Sequence, residues 1–346
     1  MLMLQTYFFT LLVPLLWVGI FLFKNEINEK TFFNKDYTTV LKGLACLIVI
    51  YVHVHSGYEN PLQDAIGSLA YVCVTLFFMV SAYGMMLSVE RNEDYLKDFW
   101  RNRLVALLVP CFLVNLVSFG WGIAESGGCS LTRLYRINSY VLVLLQWCVW
   151  FYIVEICKKK WFADKTAWAD GLLIAGVVLS SLIMYFIVDG ENSAEVGWPF
   201  ERMGLVWGVL LYRYYDKCVA WMSRNRWVKV AVLILLGGIF GVAYLKYKMI
   251  YFWGAYLLKV VLGVMLLALA FTAISNRQCK NPILLWLGNV SYEVYLSHGL
   301  VMGALAFWLP EGTDSGSFIL LTVVVTLALS GILHHIGQPF VKLLRK

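Results

Sequence analysis

Residues 40–54 read VLKGLACLIVIYVHV, an apolar stretch with a lysine near its start and a histidine near its end. Lys42 and His53 are eleven residues apart, which on an α-helix is three turns plus about 20°, or about 16 Å along the axis. Both side chains therefore face the same side of the predicted helix. An ionisable side chain inside a lipid-buried helix costs several kcal/mol, so such a residue is a candidate for function. The stretch predicts a membrane helix with a cation at one surface and a potential general base deep along the same face.

The composition of the whole chain agrees with a membrane location. Of the 346 residues 61% are hydrophobic and 14% are charged, with a mean hydropathy of +0.73, whereas a soluble domain has about 25% charged residues. Continuous apolar runs favour helices, because barrel strands would appear as short alternating segments. We therefore predict an all-α polytopic bundle of about eleven transmembrane helices. The stretches are 5–23, 40–56, 66–89, 104–124, 139–157, 167–188, 197–215, 229–246, 250–274, 283–307 and 318–337.

The basic residues predict the orientation. Most of the 28 lysines and arginines lie in alternate loops, and by the positive-inside rule these loops are cytoplasmic. The N-terminus is then outside and the C-terminus cytoplasmic, as an odd number of spans requires. Topology accounts for the net charge of +7, so the charge gives no support for nucleic-acid binding. The eight cysteines are scattered, without a CxxC or Cys/His spacing, and predict neither a metal site nor a disulfide framework.

The line from Lys42 to His53 suits two kinds of function. An acyl-CoA could place its phosphates at Lys42 and the nearby Arg101 and Arg103, while its pantetheine arm, on the order of 15–20 Å, carries the thioester towards His53. A neutral imidazole there could take a proton from an attacking hydroxyl. Alternatively, the chain is a transporter in which His53 relays protons or binds substrate. A third interpretation is an interfacial histidine satisfied by a backbone carbonyl.

With its basic residue, ten intervening residues and a histidine, this helix resembles the start of the acyltransferase family 3 membrane proteins, whose signature has Arg in the first position. Further stretches are similar to the family's motifs, come in the family's order and extend the resemblance over about residues 40–340. They are 76–83 (LFFMVSAY), 99–104 (FWRNRL) leading to Pro110, 150–152 (WFY), 287–298 (LGNVSYEVYLSH) and 338–340 (QPF).

The resemblance implies a fold and an activity. The family's ten-helix core maps onto 38–346, and 1–37 form an added N-terminal transmembrane helix with a cytoplasmic loop. Such proteins move an acyl group, most often acetyl, from cytoplasmic acyl-CoA to a hydroxyl of a cell-envelope or exopolysaccharide sugar. We therefore expect a multi-pass enzyme of the plasma or inner membrane. Its donor is acyl-CoA, its acceptor is a carbohydrate or lipid-linked glycan, and it needs no metal.

The same resemblance assigns roles to residues. His53 is the expected general base or transient acyl carrier, and Lys42 stands where the family usually has Arg. The residues expected to bind the donor are Lys42, Arg101, Arg103, Trp150 and Tyr152. Those expected to line the passage or orient the substrate are Ser81, Tyr83, Ser291, Tyr292, Tyr295 and His298. Independently of the family, Ser291, Tyr295 and His298 fall at i, i+4 and i+7 and form one polar stripe on an apolar helix.

Two intramembrane charges, Lys259 and Glu293, lie at similar predicted depth. Because unpaired charges are rare in membranes, we hypothesise that they pair with each other. The transporter interpretation predicts helices broken by Gly or Pro in the membrane, but most of the seven prolines lie at the ends of spans, which counts against it. A glycan polymerase would be expected to have a large external loop, and the external loops here are short.

Overall fold

The computed structural model describes residues 2–24, 32–161, 166–187, 197–310 and 312–345. This part of the chain is 84% helix and contains no strand. Its α-helices, in chain order, are α1 (Leu2–Lys24), α2 (Lys35–Val52), α3 (Pro61–Gly67), α4 (Ala70–Arg91), α5 (Phe99–Ser126), α6 (Ser139–Trp161), α7 (Thr166–Ile187), α8 (Met203–Arg213), α9 (Tyr215–Ser223), α10 (Arg226–Tyr247), α11 (Lys259–Ile274), α12 (Pro282–Trp308) and α13 (Ser315–Leu344).

The helices account for a multi-pass membrane protein. Seven helical segments of the described residues are long and apolar enough to cross a bilayer, and Thr6–Leu22 and Met203–Arg213 are shorter apolar helices. Each of the predicted apolar stretches coincides with helical structure in the described ranges. The all-α multi-pass architecture is therefore confirmed, while the count of eleven and the orientation stay predictions.

The helix that carries the deciding motif is shorter than predicted. Helix α2 ends at Val52 and not at residue 56, because the backbone N–H of His53 turns to the carbonyl of Ile50 at 3.2 Å. A short helix that we did not predict, α3, follows in the outer loop. Pro61 occupies its first turn, and Asn60 and Gln63 cap each other reciprocally, which is a recognised helix-start signal.

Glycines let two pairs of helices approach closely. A Cβ atom at Gly43 of α2 would lie 2.7 Å from the backbone nitrogen of Gly288 on α12, so the two backbones touch directly. Gly204 and Gly208 of α8 meet the backbone of α4 in the same way. Small residues at such crossings are the usual means of close packing between membrane helices. The crossing of α2 with α12 brings the helix that carries Lys42 next to the helix that carries the predicted polar stripe of Ser291, Tyr295 and His298.

The predicted additional helix α1 packs against α13. It is also joined to the region after α2, because Thr10 accepts a hydrogen bond from the Tyr51 hydroxyl on its carbonyl oxygen at 2.7 Å and one from the Asn60 amide on its hydroxyl at 3.2 Å. Most of the predicted cytoplasmic loop after α1, residues 25–31, lies outside the described residues. The division at residue 37 stays a prediction.

Candidate active site

A cavity of about 430 Å³ lies between α2, α4, α5, α6 and α12. On α4 its lining extends from Ser88 to Phe77, which is eleven residues or about 16 Å along the helix axis. Six of the predicted site residues line it, namely Lys42, Ser81, Arg103, Ser291, Tyr292 and Tyr295. The other lining residues are Phe77, Val80, Gly84, Ser88, Ala106, Leu107 and Tyr140.

Two cations mark one end of the cavity, which we call the basic end. Arg103 is held there by the Tyr95 hydroxyl, to which its Nε donates at 3.1 Å, and by the Phe99 ring at 6.0 Å. Among the described residues no carboxylate pairs with Lys42 or Arg103 within 4.0 Å. The two cations of the basic end thus have no direct ion-pair partner among the described residues, which leaves both available to an anionic ligand.

Polar groups of α12 line the middle of the cavity. The Ser291 hydroxyl donates to the carbonyl of Gly288 at 2.7 Å, and the Tyr292 hydroxyl donates to the carbonyl of Leu107 at 2.9 Å. The second bond ties α12 to α5. The Ser291 and Tyr292 hydroxyls thus donate their protons to backbone carbonyls. Ser81 of α4 also lines the cavity.

Three aromatic rings close the other end, which we call the aromatic end. The ring centroids of Tyr140 and Tyr295 are 4.7 Å apart, and those of Phe77 and Tyr295 are 6.3 Å apart. No hydrogen bond engages the hydroxyl of Tyr140 or Tyr295 within the described part of the chain. Two phenol donors therefore remain available where the cavity ends.

A pair of histidines lies just beyond the aromatic end. The His53 and His298 ring centroids are 4.8 Å apart, and the His298 ring lies 5.9 Å from that of Tyr295. His298 is buried, while His53 is exposed. The pair is positioned by the glycine crossing of α2 and α12, since each helix contributes one ring. The lining of the cavity ends at Tyr295, so this tyrosine separates the cavity from the imidazoles.

Both histidines use the same ring nitrogen to contact the backbone. Because α2 ends at Val52, the Val49 carbonyl has no backbone partner in the helix, and His53 Nδ1 lies 2.9 Å from it. His298 Nδ1 lies 3.2 Å from the Val294 carbonyl. A carbonyl can only accept, so we assign the proton of each neutral ring to Nδ1, which leaves Nε2 with a free lone pair. The backbone carbonyl expected under the third interpretation of His53 is present, but it occupies only one of the two ring nitrogens.

Two predicted donor-binding aromatics do not line the cavity. Trp150 donates through Nε1 to the Leu172 carbonyl of α7 at 3.1 Å. Tyr152 stacks on Phe99 with the ring centroids 5.4 Å apart. Both rings are occupied in packing α6 against its neighbours, because the bundle places their faces of α6 against other helices and not against the cavity.

Arg101 and Tyr83 also lie elsewhere. The exposed Arg101 pairs at 2.9 Å with Asp98, the residue that precedes the first turn of α5. Of the two arginines, only Arg103 lines the cavity. The Tyr83 ring meets Phe33 at 4.9 Å on the opposite face of α4 from Ser81. Helical geometry explains both cases, since residues two apart point about 200° apart.

Tyr140 is the main residue of the site that the sequence did not indicate. It lies in the first turn of α6, ten residues before the WFY motif that drew attention to that helix. No spacing within α6 marks it, and only the packing of α6 against α4 and α12 brings it to Tyr295. Among the described residues no group of three His, Cys, Asp or Glu side chains is arranged to hold a metal ion.

The hypothesis that Lys259 pairs with Glu293 is wrong. Glu293 lies 2.9 Å from Nδ1 of His334 on α13. The Lys259 ammonium lies instead over the Phe200 ring, 3.9 Å from its centroid. Each charge was correctly expected to have a partner, but the cation is stabilised by an aromatic face and the carboxylate by an imidazole. The partners of Glu293 and Lys259 depend on which helices are neighbours in the bundle. The spacing of these residues along the chain does not give that information.

A double-mutant cycle tests the corrected pair. We expect Glu293→Gln and His334→Gln to be coupled by about 1.5 kcal/mol in unfolding free energy, because a charge-assisted hydrogen bond is lost only once. The same cycle with Lys259→Met in place of the histidine change is expected to be additive within about 0.3 kcal/mol. Thermal or denaturant unfolding in detergent measures both. Additivity of the first cycle would remove the pair from this account.

The comparison with known proteins gives one result. A family model described as "Acyltransferase domain" matches residues 35–335, nearly the whole chain. No curated protein and no solved structure matches the chain. The matched range begins at the first residue of α2 and ends on α13, so it contains the cavity, both tyrosines and both histidines.

Proposed function

The chain belongs to the acyltransferase family 3 of membrane proteins, so it is an acyltransferase, and from that premise we propose what it transfers. The donor is a cytoplasmic acyl-CoA, most simply acetyl-CoA, and the acceptor is a hydroxyl of a sugar of the cell envelope or an exopolysaccharide. The enzyme acts in the plasma or inner membrane. The family membership favours this reaction class over the transporter that the sequence left as an alternative.

One observation carries the proposal: the cavity has at one end two cations without an ion-pair partner among the described residues, and at the other end Tyr140 and Tyr295, of which Tyr295 packs against the buried histidine of the His53–His298 pair. The axial distance of about 16 Å between these ends matches an extended pantetheine arm of about 15–20 Å. A donor with its phosphates at Lys42 and Arg103 thus has its thioester near Tyr140 and Tyr295. Arginine and lysine suit this task, since charge-assisted bonds to phosphate are among the stronger hydrogen bonds.

Acyl transfer at the aromatic end needs a base for the acceptor hydroxyl and a hydrogen-bond donor that stabilises the negative charge on the acyl oxygen. His53 Nε2 takes the proton of the acceptor hydroxyl while the hydroxyl oxygen bonds to the acyl carbon. The carbon–sulfur bond then breaks, and the departing CoA thiolate takes that proton to become the thiol. The free hydroxyls of Tyr140 and Tyr295 are suited to donate to the acyl oxygen as it becomes negatively charged. His298 supports this arrangement by packing against both the His53 ring and the Tyr295 ring.

The basic end offers the sharpest test of the donor. We expect Lys42→Gln and Arg103→Gln each to raise the KM for acetyl-CoA about tenfold or more, since each removes a charge-assisted contact to phosphate. The KM for acetyl-pantetheine, which has no phosphate, is expected to stay nearly constant. Steady-state kinetics with purified protein and a glycan acceptor measures both values.

Arg101→Gln is the matched control, because Arg101 lies on the same helix turn as Arg103 but points away from the cavity. Its kinetics are expected to equal those of the wild type. An equal loss with both donors in Lys42→Gln and Arg103→Gln would assign these residues to folding and not to the donor. A wild-type enzyme that consumes no acyl-CoA would overturn the proposed donor class.

A further inference from the structure

A second cavity, of about 590 Å³, lies on the far side of the aromatic end. Its walls come from the later half of α5, the segment 136–139, the first turn of α6 and the later half of α12. Ser139 and Leu296 line it, and each is the chain neighbour of one of the two tyrosines that close the first cavity. Tyr140 and Tyr295 therefore form the partition between the two cavities.

The loop that forms one wall of this second cavity is fixed in place. The Asn115 amide of α5 donates to the Leu134 carbonyl at 3.2 Å and to the Arg136 carbonyl at 2.7 Å. Asn138 accepts from the backbone N–H of Tyr140 at 2.9 Å and so starts α6. These bonds hold the backbone that carries Arg136 and Asn138 against α5, which makes the cavity a built feature of the bundle.

The lining offers more hydrogen-bond donors than the protein uses. Among the described residues no carboxylate lies within 4.0 Å of the Arg136 guanidinium. The Asn138 side-chain oxygen is occupied, which leaves its NH₂ group as a donor. Leu296 and Leu300 supply an apolar wall on the other side. An apolar wall facing a few fixed polar groups is the usual form of a site for a small polar ligand.

We infer that this second cavity binds the acyl acceptor, and that the acceptor is a sugar carrying a negative charge, a carboxylate or a phosphate, that pairs with Arg136. This inference rests on the proposed function, because it supplies the hydroxyl that the first cavity's acyl group must meet. The planar guanidinium can bind either anion through two parallel hydrogen bonds. The sugar's hydroxyls contact Asn138 and Ser139, and its apolar face lies on the leucines. Neither His53 nor His298 lines this cavity, so the bound sugar extends its reacting hydroxyl past Tyr295, whose ring lies 5.9 Å from that of His298, to reach the acyl carbon and the base.

Ligand binding tests this without requiring turnover. The probes are glucuronate and glucose, added to the full-length protein in phosphatidylcholine nanodiscs and followed by saturation-transfer difference NMR. We expect the glucuronate signal to saturate, with a dissociation constant about tenfold lower than that of glucose. One charged pair between the sugar and Arg136 accounts for a difference of this size. Arg136→Gln is expected to bring glucuronate down to the level of glucose. Arg133→Gln, an exposed arginine of the same loop outside the lining, is expected to bind glucuronate as the wild type does.

The other results are equally informative. Equal signals from glucuronate and glucose, or an unchanged glucuronate signal in Arg136→Gln, would overturn the inference. Stabilisation of the wild type by phosphatidylglycerol, lost in Arg136→Gln while glucuronate fails to bind, would assign the arginine to a lipid headgroup and overturn it as well. If glucuronate fails while acyl-CoA is still consumed, only this inference falls. If acyl-CoA is never consumed, the proposed function falls whatever the sugar does.

Discussion

Replacing His53 by alanine is expected to reduce acyl transfer about a thousandfold, the range in which general-base catalysis contributes. The reason is geometric, because Nδ1 is held by the Val49 carbonyl at 2.9 Å and Nε2 is left with the lone pair that accepts the proton. The measurement is kcat with purified protein, acetyl-CoA and a glycan acceptor. The variant is expected to retain its thermal unfolding temperature, since His53 is exposed and lies outside the helix interior.

His55→Ala is the matched control for this prediction. Its ring packs near Tyr58 with the centroids 6.5 Å apart and has no contact with the histidine pair, so activity is expected to stay at the wild-type level. His298→Ala is expected to cause a smaller loss than His53→Ala, because His298 is buried and acts by holding His53 and Tyr295. A reversed order, with His298→Ala the more damaging and His53→Ala nearly active, would transfer the role of base to His298.

Adding one methyl group at Gly288 is expected to have the second largest effect. A Cβ atom there would overlap the backbone of Thr39 on α2, so Gly288→Ala must push α2 and α12 apart. Overpacking of this kind costs about 1–3 kcal/mol, and the separation also parts His53 from His298 and widens the aromatic end. We expect a lower unfolding temperature together with a loss of acyl transfer.

Gly299→Ala provides the control on the same helix, because a Cβ atom there meets nothing within 4 Å. It is expected to be neutral or slightly stabilising, as alanine is the better helix former. Thermal unfolding in detergent and acyl-transfer rates distinguish the two glycines. If Gly288→Ala behaves like Gly299→Ala, the close crossing of α2 and α12 does not hold the site together.

Part of the candidate site could be predicted from helical spacing alone. Ser291 and Tyr295, four residues apart on α12, both line the cavity as their spacing predicts. Lys42 also lines it, but α2 ends at Val52, so a shared helical face for Lys42 and His53 stays a prediction. Where motif residues were two apart, as with Ser81 and Tyr83 or Arg101 and Arg103, only one of each pair lines the cavity. A sequence motif includes both residues of each pair. Because residues two apart on a helix point in nearly opposite directions, only one of them can face a given neighbouring helix.

The limits of sequence reasoning are clearest at Glu293. Its need for a partner followed from its depth in an apolar span, and Lys259 was the nearest available charge by that criterion. The structure pairs it with His334 because α12 packs on α13, whereas Lys259 lies against the Tyr71 ring of α4 and the Phe200 ring. The sequence of one helix allows the membrane depth of a side chain to be estimated. It does not show which neighbouring helix that side chain faces.

The sequence by itself determined the class of protein, its helices and its family. Each of these depends on local properties: apolar runs of membrane length, the distribution of lysine and arginine, and motifs in a known order. The tertiary structure decided which side chains share a space, namely that Tyr140 meets Tyr295, that Arg103 but not Arg101 lines the basic end, and that a second cavity lies behind the two tyrosines. The physical reason is that lipid-facing and core-facing surfaces of such helices are almost equally apolar. Only the small residues and polar contacts at helix crossings, such as Gly43 against Gly288, then select the neighbours.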